Sequence, residues 1–308
     1  MKLLSIVTFA GALALAAAKQ IEGVFTSFDS IQLSAIPEVQ FPTPATPSHL
    51  LHFSWEMNST FASPGDKFVL RMTCVYSVTL GKDTFELIAE GKTYAICSIT
   101  NAELSDRISL LDCTVTDEIN NGDVVEGRAF IPVTFNIGGR ASPFDEECAL
   151  RIIPGSVPVD SLAFGTGNHS ISTATNFIGV PESGNDASDV SSIVRYVPST
   201  DNFDGYAVGP SRCLVGSTFN EFTLMVPGAN IDCDSVKVHV TDAFNIWGLP
   251  AIHYEEEIYS ECSSERIYVR TEATLGKGVT PFVEYKFTKP GTDIIQTSLV
   301  AHTVGSRA

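Results

Sequence analysis

Residues Phe68 to Leu80 read FVLRMTCVYSVTL, a run of β-branched and aromatic residues in which Phe68, Leu70 and Met72 alternate with shorter or polar neighbours. Alternation at a period of two puts one face of a strand in a core and the other in water. Phe130 to Ile137 (FIPVTFNI), Val236 to Val240 (VKVHV), Ile267 to Thr271 (IYVRT) and Phe282 to Thr288 (FVEYKFT) have the same character. Turn signals separate them: Ser63-Pro64-Gly65-Asp66, Asn120-Asn121-Gly122-Asp123, Gly138-Gly139 and Lys289-Pro290-Gly291-Thr292. Short strands at this spacing predict an all-β chain built of β-sandwiches. Pro132 predicts an edge position or a bulge in its strand, because proline has no N–H to give to a ladder. No long segment combines a helical period with caps, and only a short helix is expected, within Asp186 to Val197.

The 308 residues suffice for two domains of about 150 residues each. The boundary is expected in Pro181 to Asp189 (PESGNDASD), which is polar and lacks large apolar side chains. The expected division is a leader over 1–18, a first sandwich over 19–183 and a second over 184–308. The proline-rich stretch Ala35 to Ser48 is expected to run extended over the first sandwich. With 19 Lys and Arg against 36 Asp and Glu, the formal charge is −17, which excludes tight binding to nucleic acid.

Met1-Lys2, the apolar run Leu3 to Leu15 and the small residues Ala16-Ala17-Ala18 form a secretory signal, with cleavage expected after Ala18. No later run has spanning length, and Leu299 to Ala308 lacks the tail of a lipid-anchor signal. The expected product is secreted and extracellular, without a membrane span; association with a cell wall is the alternative to free release. The seven cysteines, at 74, 97, 113, 148, 213, 233 and 262, show no metal-ligand spacing, so disulfides are favoured over zinc. An odd count leaves one thiol unpaired or joined to another chain. Asn58-Ser59-Thr60 and Asn168-His169-Ser170 are glycosylation sequons, suited to the same compartment.

The nucleophile elbow, the paired-histidine zinc motif, the phosphate loop and the Asp-Thr-Gly triplet are all absent from the sequence. Asp145-Glu146-Glu147 and Glu255-Glu256-Glu257 read as solvated runs rather than calcium or acid/base sites. His239 and His253 read as packed or surface imidazoles, and Trp55 and Trp247 as core anchors, with a ligand groove as the second reading of either indole. No catalytic residue, metal or cofactor is expected, and a secreted carbohydrate-active enzyme remains the outside alternative.

From Lys19 the chain reads KQIEGVFTSF, and it continues through Ala62-Ser63-Pro64-Gly65-Asp66, Met72-Thr73-Cys74-Val75, Tyr94-Ala95-Ile96-Cys97, Leu111-Asp112-Cys113-Thr114-Val115 and Phe135-Asn136-Ile137-Gly138-Gly139. Ile231-Asp232-Cys233-Asp234-Ser235, Asn245-Ile246-Trp247, Cys262-Ser263-Ser264 and Pro281-Phe282-Val283 follow. In order and spacing these segments resemble the agglutinin-like sequence adhesins of yeasts, the family that also contains the mating α-agglutinin. The resemblance covers most of residues 19 to 288. It implies two tandem immunoglobulin-like β-sandwich domains that bind flexible peptide ends, or glycoproteins on host or partner cells, in a cleft between the domains. Strand edges suit that task, since an extended peptide can add to a sheet through its main chain.

The resemblance further implies the pairs Cys74 with Cys148, Cys97 with Cys113 and Cys233 with Cys262. It leaves Cys213 as the unpaired thiol, open to a disulfide-linked partner. Two departures bear on function. The family's cleft-floor lysine, which captures a peptide carboxylate, is replaced by Ser77, which offers a hydroxyl and no charge. Ser298-Leu299-Val300-Ala301 stands where the family has a cysteine, so the second sandwich is expected to be shortened at its C-terminal end. Tyr76, Ser77, Trp247, Phe282 and Tyr285 are the candidate cleft residues. The expected function is adhesion through that cleft, and the alternative is a structural or decoy relative whose cleft binds nothing.

Overall fold

The computed structural model describes residues 18–33, 44, 49–101, 108–139, 143–157, 162–165, 167–177, 192–197, 202–209, 216–254, 256–288 and 298–305. Most of the expected leader, the boundary at 183/184, most of Ala35 to Ser48, the turn Lys289 to Thr292, Cys213 and Glu255 lie outside these residues.

Two sheets face each other in the first half. One has the order β1-β2-β8-β4, from β1 (Phe25–Leu33), β2 (His49–Asn58), β8 (Val124–Phe135) and β4 (Val75–Val78). The other has the order β11-β10-β3-β7-β6-β5, from β3 (Lys67–Met72), β5 (Thr84–Ala89), β6 (Lys92–Thr100), β7 (Ser109–Val115), β10 (Ala163–Phe164) and β11 (Ile171–Ser172). Strict alternation along β2 sends Leu51, Phe53, Trp55 and Met57 inward. They meet Phe68, Leu70 and Leu111 from the opposite sheet in one core, with Phe28 stacked on both Phe53 and Phe164. A small pair, β9 (Gly155–Val157) with β12 (Thr175–Phe177), lies outside both sheets.

The second half repeats the plan. Its sheets have the orders β13-β14-β19-β16 and β17-β18-β15-β20. The first is built from β13 (Ser192–Val197), β14 (Asn202–Val208), β16 (Asn230–Thr241) and β19 (Thr280–Thr288), and the second from β15 (Ser217–Met225), β17 (Tyr259–Ser263), β18 (Arg266–Thr271) and β20 (Ser298–Gly305). Phe222, Leu224, Ile267, Val269, Val283, Tyr285 and Phe287 fill the space between them. The chain is thus all-β, two tandem immunoglobulin-like sandwiches. Disulfides join Cys74 to Cys148, Cys97 to Cys113 and Cys233 to Cys262.

The structure corrects three local expectations. Phe68 to Leu80 is two strands, not one, because Cys74 takes a left-handed conformation (φ 59°) and the chain passes there from the β3 sheet to the β4 sheet. The part of Asp186 to Val197 that is described is strand β13, where Ile193, Val194 and Val197 pair with β14; β-branched residues suit a pleated ladder better than a helix. A helix stands instead at α1 (Pro143–Arg151), with Asp145 and Glu146 in its first turn and Arg151 in its last, charges placed to favour the helix dipole. Pro132 sits where the β4–β8 ladder ends, its carbonyl accepting the Thr79 N–H at 2.7 Å.

Candidate functional site

The two sandwiches meet along a narrow seam, and the first contributes three elements to it. A bulge in β4, between Val75 and Ser77, leaves Tyr76 as the extra residue and turns its ring out of the sheet. The edge of β4 is satisfied by side chains: Asn101 Oδ1 accepts the Val78 N–H at 2.8 Å, and the Ser109 hydroxyl donates to the Val75 carbonyl at 2.8 Å. Gly138 and Gly139 follow β8 with φ of 91° and 114°, a conformation that favours glycine. Gly138 also has no room for a side chain, since a Cβ there would lie 2.5 Å from the Asn245 amide. Asn136 fixes this turn, donating to Asp145 Oδ1 at 2.6 Å and accepting from the Gly138 N–H at 2.9 Å. α1 is the third element. Its Glu146 carboxyl is held above the usual range by burial and by the neighbouring Asp145 charge.

The second sandwich answers with β14 and the chain that follows β16. The Tyr76 hydroxyl donates across the seam to Asp204 Oδ2, and both residues are buried. Asn245 Nδ2 donates to the Ile137 carbonyl at 2.8 Å, while its Oδ1 accepts the Trp247 and Leu249 N–H groups at 2.9 and 3.1 Å. The Trp247 indole N–H donates to the Ile152 carbonyl at 2.6 Å. Tyr206, Trp247 and Leu249 pack into the core cluster of the first sandwich. His253 Nε2 lies 3.3 Å from the Gly139 carbonyl.

The five cleft candidates do not form one surface. Tyr76 and Trp247 are at the seam, each spent on a contact that ties the sandwiches together. Ser77 is wholly buried beside Tyr76, paired in register with Thr134. Phe282 faces the seam side of β19, against His239 and His253. Tyr285 points the opposite way, into the core of the second sandwich, its ring covering Gly205; burial pushes the phenol up from its ordinary range. Asp204 and Tyr206 carried no signal in the sequence, because neither lies in a motif; Asn245 could be singled out only through the Asn-Ile-Trp segment. Beyond the seam, a cavity of about 400 Å³ opens where β16 bulges between Asp232 and Lys237, lined in part by Asp232, Asp234 and Lys286. Lys286 lies in one cross-strand row with Asp204 and Asp232. Of the sequons, Asn58 ends β2 and Asn168 is exposed on a 3-10 turn. Among the described residues no group of three His, Cys, Asp or Glu side chains is placed to hold a metal ion.

Two solved bacterial structures share this fold. The serine-rich repeat adhesion glycoprotein Srr1 of Streptococcus agalactiae superposes over 95% of this chain and 100% of its own, with a TM-score of 0.53 at 10% identity. Serine-rich repeat protein Srr2 of the same species gives 0.51 at 11%, over 94% of this chain and 95% of its own. At that identity the likeness is one of fold. The chain belongs to the agglutinin-like protein family: residues 54–303 match the model of the agglutinin-like protein N-terminal domain. Agglutinin-like protein 6 of Candida albicans is 29% identical over 280 residues, and agglutinin-like protein 7 is 30% identical over 285. Those matches take in 90% and 89% of this chain but 20% and 17% of the relatives, so the chain spans about a fifth of their length. Among the described residues no helix is long and apolar enough to cross a membrane.

Proposed function

We propose that this chain is the binding region of a cell-surface adhesin, not an enzyme, and that it holds extended peptide segments of partner glycoproteins at the seam between its sandwiches. Family membership supports the adhesive role. The observation that carries the choice of site is the row Asp204–Lys286–Asp232, which runs along the seam-facing sheet from the Tyr76 hydrogen bond to the open cavity at the β16 bulge. An entering peptide would meet alternating charges there and, at β16, the edge of the sheet, where main-chain pairing suits recognition of many sequences. The buried Ser77 hydroxyl gives such a peptide no cation for its terminal carboxylate. Free-acid and amidated forms of one peptide should therefore bind alike.

A second reading, a relative whose seam takes no ligand, is favoured by the burial of both Tyr76 and Asp204 in a bond that already spans the seam. Titrating the whole chain with a random heptapeptide library, and then with the free-acid and amide forms of any binder, decides between the two. Saturable binding lost in Asp204→Ala or Lys286→Ala supports the peptide reading, and no saturable binding supports the second. A tenfold preference for the free acid, abolished by Lys286→Ala, would move carboxylate capture from position 77 to Lys286.

A further inference from the structure

We propose that the cut expected after Ala18 completes the first sandwich: it turns the Lys19 nitrogen into an α-ammonium that pairs with the buried Asp66 carboxylate and stabilises the fold. Ala18 and Lys19 are both exposed, so the bond between them is open to hydrolysis. The chain just beyond is fixed. The Lys19 carbonyl accepts the Lys67 N–H at 2.9 Å, and the Ile21 N–H donates to the Lys67 carbonyl at 2.7 Å. Gln20 forms a parallel bridge with Lys67 at the start of β3, and Ile21, Val24 and Phe25 enter the first core. These contacts hold the Lys19 nitrogen 3.0 Å from Asp66 Oδ1.

Asp66 is only 4% exposed. It closes the turn Ser63-Pro64-Gly65-Asp66, its N–H donating to the Ser63 carbonyl at 3.0 Å and its Oδ2 accepting the Ser63 N–H at 2.9 Å. Its own carbonyl accepts the Val115 N–H at 2.9 Å, which stitches the turn to the end of β7. A carboxylate this deep is costly unless it is both hydrogen-bonded and paired with a cation. Among the described residues its ion-pair partner is the Lys19 side chain, whose Nζ lies 3.7 Å from Oδ2 and which is 55% exposed. So solvated an ammonium contributes little.

In the uncut chain the Lys19 nitrogen is a neutral amide donor. On hydrolysis the C–N bond to Ala18 breaks, the oxygen of water joins the Ala18 carbonyl carbon to leave a carboxylate, and both protons of water go to the nitrogen, which becomes an ammonium. An α-amino group is mostly charged at neutral pH. The donor atom need not move, yet its bond to Asp66 is now charge-assisted, roughly twice as strong as a neutral one. A chain that keeps its leader, or begins a residue or two early, leaves Asp66 with the amide alone.

The test expresses the full chain, leader included, in a secreting yeast host. N-terminal sequencing should find Lys19 first. Inserting Gly-Ser between Ala18 and Lys19 keeps the cut but moves the ammonium away from Asp66, with the new start confirmed in the same way. Trp55 and Trp247 both belong to the first core, so their fluorescence in urea follows the unfolding of that sandwich. The insertion should raise the unfolding constant about five- to tenfold. In an Asp66→Asn background the same insertion should change nothing. If Asp66→Asn does not fold, carbamylation by cyanate replaces it: the α-amine of the Lys19 start should react several-fold more slowly than that of the extended chain. A start other than Lys19, an insertion without effect, an equal effect in the Asp66→Asn protein, or equal carbamylation rates would overturn the proposal. No peptide enters the measurement, so failure to find a ligand sinks the binding reading and leaves this one standing.

Discussion

In each sandwich a glycine lies under a large aromatic ring across one strand pair. Gly127 of β8 faces Trp55 of β2 in the first, and Gly205 of β14 faces Tyr285 of β19 in the second. A Cβ would fall 2.4 Å from the indole at Gly127 and 2.1 Å from the phenol at Gly205, so the missing side chain is what lets each ring lie flat on its sheet. In both, the polar atom of the ring, Trp55 Nε1 or the Tyr285 hydroxyl, is buried without a hydrogen-bond partner among the described residues. The surroundings differ. Among the described residues the first sandwich has the larger core, two disulfides and a six-stranded sheet, whereas the second has two four-stranded sheets and one disulfide. The same ring-on-glycine device thus stands in a robust setting and in a spare one, and the spare one is expected to rely more on the seam.

That dependence can be broken first at Trp247. Trp247→Ala removes a buried indole and its bond to Ile152, and should cost about 3–5 kcal/mol. Calorimetry should then show two transitions, the earlier from the second sandwich. One transition at the wild-type temperature would mean that the seam does not couple the two. Next in size is Cys233→Ala with Cys262→Ala, which frees a bridge with a sequence separation of 29 residues. It should destabilise the second sandwich by roughly 2–4 kcal/mol in urea titrations and leave the first unchanged.

Gly205→Ala should cost about 1–3 kcal/mol, and Gly127→Ala a similar amount, because each ring must tilt off its sheet. If the comparison holds, only Gly205→Ala yields an early transition on heating; equal melts for the two variants would show that the settings do not matter. The smallest effect has the opposite sign. Tyr285→Phe deletes a buried hydroxyl that has no partner among the described residues and should raise the stability of the second sandwich by about 1 kcal/mol. A lower melting temperature would mean that the hydroxyl has a partner in solution.

The strands were legible because alternation is local: Ile267 to Thr271 and Phe282 to Thr288 fall inside β18 and β19 with residues to spare at one end only. The break inside Phe68 to Leu80 was not, because nothing in Met72-Thr73-Cys74-Val75 marks a left-handed residue; the partner that holds Cys74 there is 74 positions away. α1 had a readable start, Ser142-Pro143 before Asp145 and Glu146. Its three carboxylates read instead as a solvated run, because the helix has no marked apolar stripe. The seam was largely illegible. Trp247 carries the same signature whether it anchors a core or lines a groove, and Asp204 gains meaning only from Tyr76, which lies 128 residues earlier. Alternation did not place Phe282 and Tyr285 on one surface, for they are three apart on a strand and face opposite sides.

The disulfide between Cys74 and Cys148 also has a mechanical aspect. Cys148 lies in α1, and the Ile152 N–H donates to its carbonyl at 2.9 Å, so the carbonyl that receives the Trp247 indole belongs to the turn that the bridge anchors. Cys74 immediately precedes β4, which carries Tyr76. Of the hydrogen bonds through which tension on the second sandwich reaches the first, at Tyr76, Ile137 and Ile152, the bridge ties the first and the last by a covalent path through the core. Under a pulling force the weak link is therefore the set of hydrogen bonds crossing the seam. They would part before the first sandwich begins to unravel, and reducing that one bridge should bring the two events closer together.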